Sequence, residues 1–425
     1  MKKIQSLALL LATVTAGFTA DAPRDLVVHE WGTFTDVQGG DGKLISWQAQ
    51  QIGDLPGFVY NWMRPGRGRQ TPTILTFGKG GLAGLQRMET PVIYFYSDKE
   101  FDADVTVKFP GGHITEWFPQ ADEVGAPGLV AKAAATVTRN PTGGNLIRWQ
   151  NLRVLPAKPN AALAARMPTS TNGTHYFAAR ETDSAFLRAH DASSTNLPVQ
   201  YEKFLFYRGT GDFKTPLTVT TTDDGAVSVH NTGVVPLGNL FLLNVKDGAA
   251  EWTQLGKLPA GARQPWQKLN STARVPQAEF QKQIGDAMAA ALTDAGLFPA
   301  EAKAMVKTWS KSWFAEEGAR VLYILPRGWT DETLPLTLNP KPRQLVRVMV
   351  GRAEIITPAL QKEIVTLMKL NQTGDKVATD ILQAHWVKLG RFAGPAARLA
   401  SQQLEKEKDK PVAAADKSVA RAEFE

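Results

Sequence analysis

Six histidines occur in the 425-residue chain, and three of them, each with a carboxylate nearby in sequence, make up a candidate ligand set. His29 is followed directly by Glu30 in the string HEWGTFT, His113 precedes Glu116, and His175 precedes Glu181. Imidazoles with a carboxylate form a donor set suited to zinc. His29, His113, His175, Glu116 and Glu181 are therefore the candidate metal ligands. No local spacing supports them, because the second His of a zinc-protease motif is missing after His29-Glu30. Neighbours on a strand point to opposite faces, so His29 shares a face with Val27 and Trp31 while Glu30 is turned away. His113 and Glu116 have the same mismatch if Ile114 to Phe118 is extended. His175 and Glu181 agree in parity, but Arg180 to Asp183 reads as a turn. A metal site thus requires tertiary convergence; without it these are hydrogen-bonded strand histidines.

A second candidate is the compact basic loop Arg64-Pro65-Gly66-Arg67-Gly68-Arg69, next to Tyr60, Trp62 and Met63. Guanidiniums on a Gly/Pro loop can fork onto carboxylate, sulfate or phosphate, and neighbouring aromatics can stack on sugar rings. Tyr60, Trp62, Arg64, Arg67 and Arg69 are the candidate binding residues, with an anionic polysaccharide as the partner they suit. The alternative is a solvated loop whose arginines brace their neighbours. Gly78-Lys79-Gly80-Gly81-Leu82-Ala83 imitates a dinucleotide fingerprint, but only Leu82 to Met88 is available for the crossover helix. It also lacks the Gly-Lys-Ser/Thr ending of a phosphate loop. The sequence leaves the cofactor unknown. No Gly-x-Ser-x-Gly elbow is present, and an acid pair for glycoside hydrolysis cannot be located by sequence.

Composition narrows the classes further. The chain has no Cys, which rules out Cys-ligated zinc, iron–sulfur clusters, thiol nucleophiles and disulfides. Its formal charge is +7, mild for this length and no signature of a nucleic-acid partner. Lys2 and Lys3, the Leu-rich run to Phe18 and the small residues before Asp21 have the layout of a secretory signal peptide. The run is shorter than the roughly 20 apolar residues of a membrane span. Cleavage after Ala20 would remove two lysines and leave +5; cleavage after Ala22 would also remove Asp21 and leave +6. A periplasmic or extracellular location is expected, and no transmembrane segment in the mature chain.

The elements that must position these residues change character along the chain. From about 25 to 255 short β-branched and aromatic runs alternate with Gly/Pro turns, including Leu217 to Thr222 and Ala226 to His230 around Asp223-Asp224-Gly225, a hairpin signal. After 275 the period becomes helical. Pro276 and Pro299 open two amphipathic helices, and Thr357-Pro358 caps another. Extended segments interrupt at Val321 to Leu325 and Leu345 to Ile356. The expected fold class is α+β: β-sandwich-like N-terminal and central modules, then a mainly helical C-terminal region with a few strands. The expected divisions are a signal peptide over 1–22, a β-rich module over 23–200, a β-sandwich-like module over 201–270, the helical region over 271–405 and a disordered tail over 406–425.

Several strings occur together: HEWGTFT at 29–35, METPVIYFY at 88–96, ITEWFPQA at 114–121, YFAARETD at 176–183, EKFLFYRG at 202–209 and VRVMVGRAEI at 346–355. On these the chain resembles a group of uncharacterised exported bacterial proteins of the kind found in Planctomycetes and Verrucomicrobia, over roughly residues 25 to 370. The resemblance implies export and carries over no catalytic residues. The leading expectation is an exported binding or structural protein for an anionic polymer. The competing ones are a secreted hydrolase, metal-dependent if the three histidines converge, and an accessory subunit of a larger assembly.

Overall fold

A computed structural model describes residues 23, 25–48, 55–61, 83–125, 145–171, 173–191, 197–268 and 274–407. The signal segment, Trp62, the three loop arginines, the Gly78–Gly81 string and residues 408–425 lie outside the described residues. The fold is α+β. Its centre is a ten-stranded sheet in the order Val275–Pro276, Ala249–Leu255, Gly238–Lys246, Gly318–Ile324, Gln344–Ile356, Val27–Gly39, Gln86–Tyr96, Leu205–Gly211, Gly112–Phe118, Tyr60–Asn61. The middle strand, Val27–Gly39, runs parallel to Gln344–Ile356 and antiparallel to Gln86–Tyr96. Chain ends more than 300 residues apart are thereby joined in the core.

One face of this sheet packs on a second sheet that includes Phe101–Lys108, Leu146–Val154 and Leu336–Asn339. Val28, Phe34, Ile93, Leu205 and Met349 from the large sheet meet Val105, Val107, Ile147 and Trp149 from the small one. Alternation along Phe101–Lys108, buried at every second residue, is what a half-covered strand requires. The other face is covered by two helices, Gln277–Asp294 and Pro299–Phe314. Phe280, Ile284, Met288, Met305 and Trp309 press on Trp31, Val92, Tyr94, Phe206 and Val348. A third cluster joins the C-terminal helices Pro358–Gln372, Lys376–Leu389 and Ala393–Lys406 to Val37, Trp47 and Ile356.

The expected helix starts hold. Pro276 precedes the first helix, Pro299 is the first residue of the second, and Thr357 accepts a hydrogen bond from Leu360 N at 3.3 Å. The 217–231 hairpin forms, with Gly225 at φ +82° in its turn. The expected divisions at 200 and 270 do not coincide with sheet boundaries. The large sheet takes strands from all three expected modules, because 318–324 pairs with Gly238–Lys246 of the central module and 344–356 pairs with the N-terminal Val27–Gly39, in addition to pairing with each other. Helix also continues to Lys406, one residue into the segment expected to be disordered.

The middle strand sets up the site. All 13 of its residues are buried, yet His29, Glu30, Thr33, Thr35, Asp36 and Gln38 are polar. A doubly covered strand usually reads as a continuous apolar run. Local rules broken at this cost point to a function or to a buried network.

Candidate functional site

Strand parity turns His29, Trp31, Thr33 and Thr35 toward the helical layer and Glu30 toward the other sheet. Across the sheet, Thr35 faces Arg352 on one neighbour and Arg87 on the other, and Thr33 faces Glu89. Arg87 and Glu89 reach this face through a bulge. The register slips between Trp31 and Thr33, opposite Thr90 and Pro91, and Thr90 adopts φ +50°. The extra residue reverses parity, so Val92 and Glu89 lie on the same face. Gly32 permits it: a Cβ there would sit 2.8 Å from Pro91 Cα and 3.0 Å from Pro91 N.

The helical-layer face of the sheet is therefore apolar around Trp31 and charged beyond it. Arg87, Arg208, Arg320 and Arg352 come from four strands, and Arg391 joins them from the short turn Gly390–Phe392. The first four are at most 3% exposed. Arg320 and Arg352 act as braces. Arg320 donates to Glu354 Oε2 at 2.9 Å and to the carbonyls of Trp313, Glu316 and Glu317. Arg352 donates to Ser312 Oγ at 2.6 Å, Glu316 Oε2 at 2.7 Å and Glu354 Oε2 at 2.8 Å. These bonds tie the C-terminal end of the Pro299–Phe314 helix to the sheet.

Arg391 and Arg87 meet one carboxylate, Glu89, and the charge of Arg208 acts on it as well. Arg391 Nη1 donates to Glu89 Oε1, and Arg87 Nε lies 3.8 Å from the same oxygen. Burial alone would raise the Glu89 carboxyl, but Arg391, Arg87, Arg208 and Arg352 outweigh it and hold it at about 2. Arg208 Nη2 lies 3.2 Å from His175 Nε2. A guanidinium only donates, so in this pair the imidazole nitrogen serves as the acceptor. Glu116 stands opposite Arg208 on the neighbouring strand. Even with Glu116 counted, the named cluster holds five guanidiniums and four carboxylates, Glu89, Glu116, Glu316 and Glu354.

Donors accumulate at the same place. The indole Nε1 of Trp31, Trp309 and Trp313, the hydroxyls of Thr33 and Thr35, and Arg391 Nε are buried without a protein acceptor. Trp309 packs against His175 at 5.3 Å and stacks on Trp313 at 6.1 Å, which links the indoles to the arginines. Leaving a buried donor unsatisfied costs about 1–3 kcal/mol. Several of them beside these guanidiniums form an environment that suits an acceptor, preferably a charged one. The seam meets solvent where Ser312, Glu316 and Arg391 are partly exposed.

The candidate metal ligands do not come together. His29 Nδ1 pairs with Glu301 Oε2 at 2.6 Å, both fully buried. His113 Nδ1 meets Asn145 Oδ1 at 2.9 Å near the sheet edge. His175 lies beside Arg208, whose charge opposes a cation. Glu116 accepts from Thr115, and Glu181 pairs with Lys307 at 2.6 Å on the surface. Among the described residues no group of three or more His, Asp or Glu is placed to hold a metal ion. Each histidine is instead engaged by a different partner. Of the candidate binding residues only Tyr60 is described. Its ring stacks near Trp117 and Phe118, 6.4 Å from each, and its hydroxyl accepts from Gln200 Nε2 at 3.1 Å.

The opposite face carries a second buried network. Tyr207 and Arg347 both donate to Glu30, and Arg347 Nη1 donates to Asp331 Oδ1 at 2.7 Å. Burial first, then the Glu30 charge, pushes the Tyr207 phenol well above its ordinary value. Arg347 and Arg352 thus serve opposite faces, as their parity requires. Sequence reasoning did not single out Arg87, Glu89, Arg208, Glu301 or Arg391. The available signal was charge inside apolar strands, in METPV, FLFYRG and VMVGRAEI.

No protein-family model matches the chain, and no curated protein matches it. Among solved structures, the zebrafish Fcho1 mu homology domain with bound Eps15 peptide aligns at 8% identity and TM-score 0.30, covering 79% of this chain and 98% of that one. The yeast delta-COP-I mu-homology domain complexed with a Dsl1 WxWxV peptide aligns at 6% identity and TM-score 0.27, over 79% and 100%. Likeness at this level carries no argument about fold or function. Among the described residues no helix is long and apolar enough to cross a membrane.

Proposed function

We propose that this is an exported binding protein that recognises an anionic group, such as the carboxylate of an acidic polysaccharide, at the arginine seam between the central sheet and the Pro299–Phe314 helix. The observation that supports the reading is the gathering of Arg87, Arg208 and Arg391 around the buried Glu89 carboxylate, beside buried Thr and Trp donors that have no protein acceptor. Carboxylate and phosphate oxygens match guanidinium forks and accept from hydroxyl and indole donors together. The Arg64, Arg67 and Arg69 loop, outside the described residues, remains a second candidate for the same anion. Trp309 and Trp313 supply the assay. Titration with tetragalacturonate should quench or shift indole emission in a saturable way, more weakly as salt rises. No saturable change at low salt, and no binding by calorimetry, would sink the reading. Export is tested separately by N-terminal sequencing of the secreted or periplasmic chain, which should begin after Ala20 or Ala22.

One observation favours a hydrolase as the second reading. Glu301 fixes His29 through Nδ1 at 2.6 Å, while His29 Nε2 has no protein partner. A carboxylate orienting an imidazole is the arrangement of a general base. Reducing-end release from polygalacturonate by the native protein, abolished in His29→Asn, would support it. No release by the native protein would remove it for this substrate class.

A further inference from the structure

A cavity of about 700 Å³ opens at the other end of the Pro299–Phe314 helix, within the size range of small-molecule sites. Its walls include Tyr96, Phe298, Glu181, Asp183, Lys303 and Lys307. We infer that this cavity binds an uncharged sugar ring, a contact independent of the arginine seam. Charge decides the ligand class. Two ammonium groups and two carboxylates line the site, so it has no net charge to attract an anion. The same four groups supply both donors and acceptors, which is what a ring of hydroxyls needs, since each hydroxyl both donates and accepts. Lys307 and Glu181 already face each other at 2.6 Å and are more than half exposed, so hydroxyls can enter that pair without desolvating it.

The aromatic walls agree. Phe298 is 41% exposed, unusual for a large apolar side chain in this protein. Tyr96 meets it edge-on, with ring centroids 4.8 Å apart and planes at 90°. The two rings form a corner rather than a slot. A flat base would be gripped between parallel rings, whereas a sugar can lay its C–H face on Phe298 with its hydroxyls directed at the charged rim. Phe298 is anchored for this by its own backbone N–H, which donates to Glu301 Oε2 at 2.8 Å.

The test is saturation-transfer NMR and calorimetry with uncharged tetrasaccharides of glucose, galactose, mannose and N-acetylglucosamine, alongside tetragalacturonate. At least one uncharged tetrasaccharide should bind. Phe298→Ala and Asp183→Asn should each weaken it at least about fivefold, while Arg391→Gln should leave it unchanged. Both altered side chains are exposed, so folding is expected to survive, and unchanged urea midpoints would verify it. Binding of none of the four, binding undiminished in both variants, or stronger tetragalacturonate binding that depends on Asp183 and Phe298 would each overturn the inference. Loss of tetragalacturonate binding with retention of the uncharged ligand would instead strike the arginine seam alone.

Discussion

Glu89→Gln separates stability from binding at the same position. The native carboxyl is held at about 2 against an ordinary value of 4.5. At about 1.36 kcal/mol for each tenfold change in proton affinity, that difference is worth about 3 kcal/mol. The sign follows from a depressed acid: the contribution is complete above about pH 4.5 and is lost as pH falls toward 2. Glu89→Gln, neutral at every pH, should be about 3 kcal/mol less stable than the native protein at pH 7, with the gap reduced to about half by pH 3. Urea unfolding followed by tryptophan emission at several pH values measures it. The same variant should bind tetragalacturonate at least fivefold more tightly, because it removes the carboxylate that competes for Arg87, Arg208 and Arg391. A stability gap below about 0.5 kcal/mol at pH 7, or one that does not shrink on acidification, would refute the electrostatic reasoning.

The remaining predictions concern other parts of the same sheet. Burial raises the Asp36 carboxyl from 3.8 to about 6, against hydrogen bonds from Gln38, Thr215 and Gln86. Its cost to folding should therefore appear as pH rises from about 4 and be complete above about 6, roughly 3 kcal/mol, and carboxyl titration by NMR should find the raised value. Gly32→Ala should separate the strands at Pro91 and cost about 1–3 kcal/mol, read as a lower urea midpoint. Thr33→Val removes a buried hydroxyl that has no protein acceptor; its stability should stay within about 1 kcal/mol of native or rise, while tetragalacturonate affinity should fall.

Much of the fold was legible because its signals are local. Proline and threonine at helix starts, the Asp-Asp-Gly turn and the change of period after 275 each depend on neighbouring residues alone. The parity rule also placed His29 and Glu30 on opposite faces. The large sheet was not legible as one unit, because the pairing of Val27–Gly39 with Gln344–Ile356 is parallel and spans the chain. Nothing in either string fixes its partner. The arginine seam escaped for the same reason, compounded by the Thr90-Pro91 bulge that turns Arg87 and Glu89 toward the helices. Simple alternation would have placed Glu89 on the face opposite Val92. The strings HEWGTFT, METPVIYFY, EKFLFYRG and VRVMVGRAEI were visible as strings. Their common meaning, four adjacent strands of one sheet, required the register.

The central claim is that the seam, and Arg391 within it, binds an anionic group. Calorimetric titration of the native protein, Arg391→Gln and the combined Arg64→Ala, Arg67→Ala, Arg69→Ala variant with tetragalacturonate at low salt tests it most directly. Saturable binding by the native protein, weakened at least tenfold in Arg391→Gln and less in the loop variant, is the predicted result. Equal affinity in the native protein and Arg391→Gln, or binding lost only in the loop variant, would contradict it.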